Sequence, residues 1–349
     1  MKKILLASSA IVAGAAFAAP AMAADGEIVW SAFTQFHASS QESDDGGATN
    51  QGLDFNTNSE IHLNAQTTAD NGLTYGLHIE LEADQSNTND TDENDIWVSG
   101  DFGKVVLGDN DSAGDALDVN ATSVGFTYGM FNNFTGVGTP ASSGRTSTGF
   151  SDSGDSTKIT YFTPTFNGFK AGVSFAPDGD EGSTISGSSA SFDNHFDGGL
   201  NYSGSFNDFS IDAGIGGGTH EVPDSGSDDN TYYGVTGGVR VGYAGFKVAA
   251  SYSHEDEEDT FDSNTFDIGV GYSTGPWGVT AGASFSERDN DNGGSTDNNE
   301  AYSAGVTYEI APGLNTWLAG TVGDYEGSDS SGNSSGDFSS ISTGLAVSF

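Results

Sequence analysis

Leu53-Asp-Phe-Asn-Thr-Asn-Ser-Glu-Ile-His-Leu-Asn-Ala-Gln-Thr67 alternates without a break. Leu53, Phe55, Thr57, Ser59, Ile61, Leu63, Ala65 and Thr67 fall on one side of the pattern. Asp54, Asn56, Asn58, Glu60, His62, Asn64 and Gln66 fall on the other. Successive side chains of a strand point to opposite faces, so one face is largely apolar and the other wholly polar. The next segment repeats the rule, with Leu73, Tyr75, Leu77, Ile79, Leu81 and Ala83 set against Thr74, Gly76, His78, Glu80, Glu82 and Asp84. Strands of soluble proteins usually run to about 5–6 residues, whereas a tilted strand that crosses a bilayer needs about 9–11. The length points to a membrane, although a large soluble sandwich alternates too, and one strand alone does not separate them.

The connections separate them. Seven are short: 69–72, 101–103, 165–168, 205–208, 244–245, 274–276 and 311–313, most carrying the Gly, Asn or Asp of tight hairpins. Leu73, Phe169, Phe209, Phe246, Trp277 and Leu314 follow them directly, which predicts a girdle of large apolar side chains at one level. Eight are long and mostly acidic: about 40–52, 86–94, 110–155, 177–193, 218–230, 256–262, 288–297 and 326–336. Short and long alternate along the chain, which gives about sixteen strands with both termini on the short-turn side. In hydrocarbon every backbone polar group must be paired within the protein, so a spanning sheet has to close. The expected fold is therefore all-β, a closed antiparallel transmembrane β-barrel of about sixteen strands. Its apolar set faces lipid, and its polar set lines a lumen wide enough for water.

The N-terminus fits that destination. Lys2 and Lys3 precede an apolar run from Ile4 to Ala19, and Ala21-Met-Ala23 has small residues at both recognition positions of a cleavage site. Residues 1–23 read as a secretory signal peptide and residues 24–349 as the barrel domain; a short N-terminal anchor is the alternative. No later stretch approaches the roughly 20 apolar residues of a spanning helix. There are no cysteines, which removes disulfides and thiol chemistry.

Composition narrows the partners. The formal net charge is −41, and loss of Lys2 and Lys3 with the leader makes it −43. Nucleic acid is excluded as a partner, because phosphate contacts need clustered Lys and Arg. Acidic disorder is the bland reading, but 23 Phe and 12 Tyr placed with a period do not suit it. No Ser, His and Asp arrangement stands out from the background, and no glycine-rich phosphate loop has its lysine. The chain does not read as an enzyme, an outer-membrane protease or lipase being the remote exception.

Three stretches carry a resemblance: Asp70-Asn-Gly-Leu-Thr-Tyr-Gly76, Asp95-Ile-Trp-Val-Ser-Gly-Asp-Phe-Gly-Lys104 running into Val105-Val-Leu-Gly-Asp109, and the C-terminal Ile341-Ser-Thr-Gly-Leu-Ala-Val-Ser-Phe349. Together with the layout of the whole chain after residue 23, they resemble the bacterial general porins, in particular the alphaproteobacterial type. The resemblance implies a passive diffusion channel of the outer membrane for small hydrophilic solutes and ions, and a homotrimer. It implies that Phe349, with Val347, Leu345, Thr343 and Ile341 at alternate positions, is the signal read by the outer-membrane barrel assembly machinery. It also implies that the third long connection, about 110–155, folds into the lumen as a constriction loop. That loop holds Phe126, Tyr128, Met130, Phe131 and Phe134 in its middle.

The loop opens with Asp109, Asp111, Asp115 and Asp118, the expected acids of the constriction. The family sets such acids against a wall rich in arginine, and here the sequence departs from it. Gln35, His37, Glu60, His62, His78, Glu80 and Glu82 are the expected wall, with only seven Lys and Arg after residue 23. Carboxylates around a narrow lumen raise the local cation concentration, so a cation-preferring pore is expected. His37, His62 and His78, from three successive strands, could neighbour one another as a basic patch that responds to pH, or be ordinary polar lining.

No cofactor is required by this reading, but one loop spaces acids like a calcium loop. Asp289, Asp291, Asp297 and Glu300 stand at relative positions 1, 3, 9 and 12, with Gly294 at 6 and Gly293 in place of a ligand. Ca²⁺ held there, or diffusely by the acidic loops, is the candidate ion. Two alternatives stay open: a substrate-specific outer-membrane channel, and a secreted acidic β-rich surface or adhesin protein.

Overall fold

The computed structural model describes residues 26–43, 51–83, 91–124, 148–179, 192–223, 230–291, 295–329 and 332–349. Residues 1–23, expected as a leader, and the aromatic residues 126–134, expected in the third long loop, lie outside the described residues.

The strands are β1 Glu27–Ser43, β2 Gln51–Thr68, β3 Thr74–Glu82, β4 Thr91–Gly100, β5 Gly103–Asp109, β6 Thr157–Phe162, β7 Phe169–Asp178 and β8 Asp193–Phe206. They continue as β9 Phe209–Val222, β10 Asn230–Tyr243, β11 Phe246–Glu257, β12 Phe261–Thr274, β13 Trp277–Asn290, β14 Ser295–Ala311, β15 Leu314–Asp329 and β16 Gly332–Ser348. Each pairs antiparallel with its neighbours in sequence, and β16 pairs with β1, so the sheet is a closed barrel of sixteen strands. The closing seam runs from Phe33 opposite Ser348 to Ser43 opposite Phe338. Phe349 extends it, donating its N–H to the Ala32 carbonyl at 3.0 Å and accepting from the Ala32 N–H at 3.4 Å.

The period of two becomes the two faces of the wall. Ile215, Val235, Val239, Val248, Ile268, Val270, Val279, Leu318 and Val322 are exposed on the outer face, while Thr236, Ser251, Ser253, Thr265 and Ser284 are buried on the inner one. The girdle at the short-turn end is built from cross-strand rings. Phe169 sits opposite Tyr202, Phe209 opposite Tyr243, Phe246 opposite Tyr272 and Trp277 opposite Tyr308. Their centroids lie 4.8, 4.5, 4.4 and 4.6 Å apart. Such pairs stabilise neighbouring strands and hold amphipathic rings at the level of the lipid headgroups.

The opposite end corrects the sequence reading. Several stretches expected as loops are strand: β1 continues to Ser43, β15 and β16 pair as far as Asp329 and Gly332, and β14 starts at Ser295. Acidic side chains on both faces do not stop a ladder that projects into water, because the backbone still pairs and both faces can be hydrated.

The short turns need left-handed backbone. Asn167-Gly168 has φ of 50° and 87°, and Ala244-Gly245 has 50° and 86°, with both central residues positive as a type I′ hairpin requires. Asn adopts this geometry at less cost than alanine. Ala244→Asn is therefore expected to stabilise the barrel by about 1 kcal/mol. Urea unfolding in lipid vesicles should give a raised midpoint with an unchanged slope.

Candidate functional site

The described ends of the third long connection, residues 110–124 and 148–155, are held to the inner face of the strands by hydrogen bonds. Helix α1, Ala113–Ala116, is capped by Ser112, whose hydroxyl accepts from the Asp115 N–H at 3.2 Å; a single 3-10 turn follows at Ala121–Val124. The Ala113 N–H donates to Ser174 Oγ of β7 (2.7 Å), and the Gly114 N–H to Asp197 Oδ1 of β8 (2.8 Å). The Ala121 N–H donates to Ser251 Oγ of β11 (2.9 Å). On the return limb the Thr148 N–H donates to Asp267 Oδ2 of β12 at 2.6 Å, and the Ser151 N–H to Tyr232 Oη of β10 at 2.6 Å. Lys158 of β6 joins the two ends, donating to the carbonyls of Asn110 and Gly154. Polar inner-face residues thus satisfy loop backbone groups that water would otherwise have to reach.

Close approach explains part of the glycine content. A Cβ on Gly238 would lie 1.8 Å from the Val119 carbonyl oxygen, and one on Gly271 would lie 2.1 Å from that of Val124. Both glycines occupy inner-face positions, where the wall must be thin for the loop to seat. Sequence reasoning noted the abundance of glycine without finding this role. The signal was present as glycines recurring at alternate positions 214, 216 and 218 of β9.

The expected acids divide. Asp111, Asp115 and Asp118 lie on the loop inside the barrel. Asp109 does not: it ends β5 opposite Thr157, on the same outward parity as the exposed Leu107 and Ile159, and accepts from the Thr157 hydroxyl. It belongs to the rim, because the strand continues to Asp109 and its alternation fixes the direction. Asp118 accepts from Thr236 Oγ1 at 3.4 Å. Loss of hydration inside the barrel raises the pKa of Asp111, with Glu93 and Asp152 adding to it. The same cause, followed by Asp152, Asp111, Asp118 and Asp197, pushes Asp115 up to about 7. Asp155 is also pushed up to about 7, by lost hydration and then by Asp92, Glu93 and Asp111, with Lys158 opposing. Burial likewise raises Asp118.

The residues expected as the wall lie on β1 to β3. Gln35, His37, Glu60, His62, His78, Glu80 and Glu82 all take inner-face parity, opposite in sense to the exposed Phe36, Ile61 and Leu81. His62 and His78 are neighbours with ring centroids 6.0 Å apart, but His37 stands across from Asn56, six residues along β2 from His62. The sequence reading missed Glu93 and Asp95 of β4 and Asp155 of the loop. Glu93, Asp111 and Asp155 bring carboxylate oxygens within 4.8 Å of one another, as do Glu60, Glu82 and Asp92.

Among the described residues, basic side chains form no ladder opposite. Arg240 Nε donates to Asp212 at 3.3 Å, Lys104 and Lys170 lie over the rings of Trp97 and Phe162, and Arg288 lies over Phe261. The calcium spacing is not assembled either. Asp289 and Thr296 face each other across the β13–β14 pair, with Arg288 opposite Asp297, so Asp289 and Asp297 project from opposite faces. Asp297 accepts from Asn290 Nδ2 at 2.7 Å, and Glu300 takes the parity opposite to Asp297 and accepts from Tyr302. Asp291 follows the end of β13. Consecutive strand residues alternate, whereas a calcium loop must turn all its ligands inward.

A closed sixteen-strand barrel with an apolar outside, an aromatic girdle and a polar interior defines a transmembrane pore protein. The chain belongs to the Gram-negative porin family, whose sequence model matches residues 7–330. That match is to the family as a whole and does not single out the alphaproteobacterial type. A monosaccharide porin of a Halomonas species is 27% identical over 379 residues, covering 96% of this chain and 99% of its own. Among solved structures, the trimer form of OmpT, an outer membrane protein of Vibrio cholerae, superposes with TM-score 0.64 at 12% identity, over 93% of this chain and 99% of its own. The anion-selective porin from Comamonas acidovorans does so with TM-score 0.63 at 14% identity, over 93% of this chain and 100% of its own. The protein is an outer-membrane porin channel.

Gly238→Ala puts a methyl group where the Val119 carbonyl lies. The barrel should still assemble, since the outer face is untouched, while the loop lifts from the wall. Single-channel conductance at fixed KCl is expected to change from one sharp level to a broader, altered one. Limited proteolysis of the folded protein should cut within residues 110–124 more readily than in the parent chain.

Proposed function

We propose that the segment 110–155 is the constriction of the pore and that the constriction prefers cations. The observation that carries this is the approach of Asp111 and Asp155 to Glu93, which sets loop acids against an acidic wall instead of an arginine ladder. Carboxylates separated by less than the screening length of about 8 Å at physiological salt reinforce one another. A local potential of about 1.4 kcal/mol then enriches a monovalent cation tenfold. Small hydrophilic solutes and cations cross passively, without cofactor or chemical step. The trimeric form of the solved relative supports a homotrimer embedded in outer-membrane lipid. Phe349, exposed on the outer face at the closing seam, is proposed as the contact for the barrel assembly machinery. Residues 1–23 are proposed as the cleaved leader. The relative described as a monosaccharide porin favours a second reading, in which neutral sugars are the main cargo; liposome swelling with monosaccharides against disaccharides distinguishes it.

The reversal potential across a planar bilayer under a KCl gradient tests the preference. Cationic sign is expected near neutral pH, and anionic sign at about pH 8 would overturn it. Asp115 and Asp155, with pKa of about 7, are charged above that value and neutral below it. The cation-to-anion permeability ratio should therefore fall as the bath goes from about pH 8 to about pH 6. Asp115→Asn combined with Asp155→Asn should flatten that dependence.

A further inference from the structure

β2 and β3 place His62 and His78 side by side on the inner wall with Glu80 between them. Glu80 Oε1 lies 2.5 Å from His62 Nδ1 and 3.1 Å from His78 Nε2. The remaining nitrogen of each ring has a carboxylate of its own. Glu60 Oε2 is 3.1 Å from His62 Nε2, and Glu93 Oε2 is 3.1 Å from His78 Nδ1. Asp95 reinforces the second contact from 3.6 Å. It is more than nine-tenths buried, and its other oxygen has no hydrogen-bond partner.

The geometry points to a binding site for one divalent transition-metal ion of the zinc class, held by His62 Nδ1, His78 Nε2 and the Glu80 carboxylate. Metal-binding histidines give one nitrogen to the ion and the other to a carboxylate that fixes the tautomer and raises the basicity of the ring. Glu60 supplies that partner to His62, and Glu93 with Asp95 supplies it to His78. Three ligand atoms with the fourth position open to the lumen match the site type that keeps a water or solute on the ion. One ligand atom from each of the three residues already lies within 4.8 Å of the other two. Metal–ligand distances of about 2.0–2.2 Å in a tetrahedron put ligand atoms roughly 3.4 Å apart, so the two Glu80 contacts need to open by less than about 1 Å. Imidazole with carboxylate suits zinc, copper or nickel, whereas calcium and magnesium take oxygen alone. The ligands come from adjacent paired strands, His62 standing directly opposite Glu80, so the wall itself holds them in position. A bound ion would set a positive charge beside Glu93 and the loop acids Asp111 and Asp155, which makes the site a means of tuning the pore. The inference stands on the wall geometry and does not depend on cation preference.

The test is zinc titration calorimetry on the folded, detergent-solubilised protein after treatment with EDTA and desalting. One Zn²⁺ per chain is expected, undiminished by excess Mg²⁺ or Ca²⁺. His62→Asn combined with His78→Asn should abolish it, Glu60→Gln should weaken it by about 10–100-fold, and His254→Asn, outside the cluster, should leave it intact. Cobalt loading gives a second readout, since tetrahedral nitrogen and oxygen ligation produces visible absorption that the double variant should lack. If that variant does not fold, the spectrum of the parent protein with and without competing zinc decides. Equal zinc uptake by parent and double variant, displacement of zinc by Mg²⁺, or no tetrahedral cobalt spectrum in the parent would each overturn the site.

Discussion

Every backbone amide and carbonyl at membrane depth has to find its partner inside the protein, because hydrocarbon supplies none. That constraint closes the sheet, and the rest of the molecule follows from closure. A closed sheet has an inside and an outside, so the period of two along each strand becomes a division between lipid and lumen. Exposed Val, Ile and Leu on the outer face are at home only in that setting. The seam between β16 and β1 is where closure is completed, and Phe349 contributes its backbone to it as well as an outward aromatic side chain.

The same constraint shapes the interior in reverse. A loop brought inside a barrel carries backbone groups that water reaches poorly, and the wall answers with Ser174, Asp197, Ser251, Asp267 and Tyr232. Gly238 and Gly271 let the loop backbone come within touching distance of the wall. Seating residues 110–124 and 148–155 against the strands from β6 to β13 brings Asp111 and Asp155 up to Glu93 of β4. Acids gathered there hydrate and ionise less readily than in bulk water, which is why Asp115 and Asp155 titrate near neutrality.

Much of this was legible in the sequence, and the limits have physical causes. Strand number, turn classes, the aromatic girdle and the inner parity of Glu60, His62, His78, Glu80 and Glu82 all follow from local alternation. Strand ends were less visible, because polar residues beyond the membrane can pair or not with little penalty, as Asp324 opposite Asp337 illustrates. Asp109 was misplaced for that reason, since one more residue of strand turned it outward. Asp289 and Asp297 matched a calcium spacing only while they were read as loop; as strand residues they point apart. Glu93 and Asp95 escaped notice because their importance comes from the register of β4 against β3, which puts Asp95 opposite His78. No local pattern encodes that pairing.

The seating of residues 110–124 on the inner face of the barrel is open to a direct test. The parent chain has no cysteine, so an introduced pair is unambiguous. A Cβ on Gly199 would stand 3.0 Å from Leu117 Cβ, close enough for a disulfide with a slight outward adjustment. Leu117→Cys combined with Gly199→Cys should form that bond nearly completely in the folded barrel under mild oxidation, as read by mass spectrometry after proteolysis. Two cysteines that stay free in a folded barrel, both open to a water-soluble thiol reagent, would contradict it.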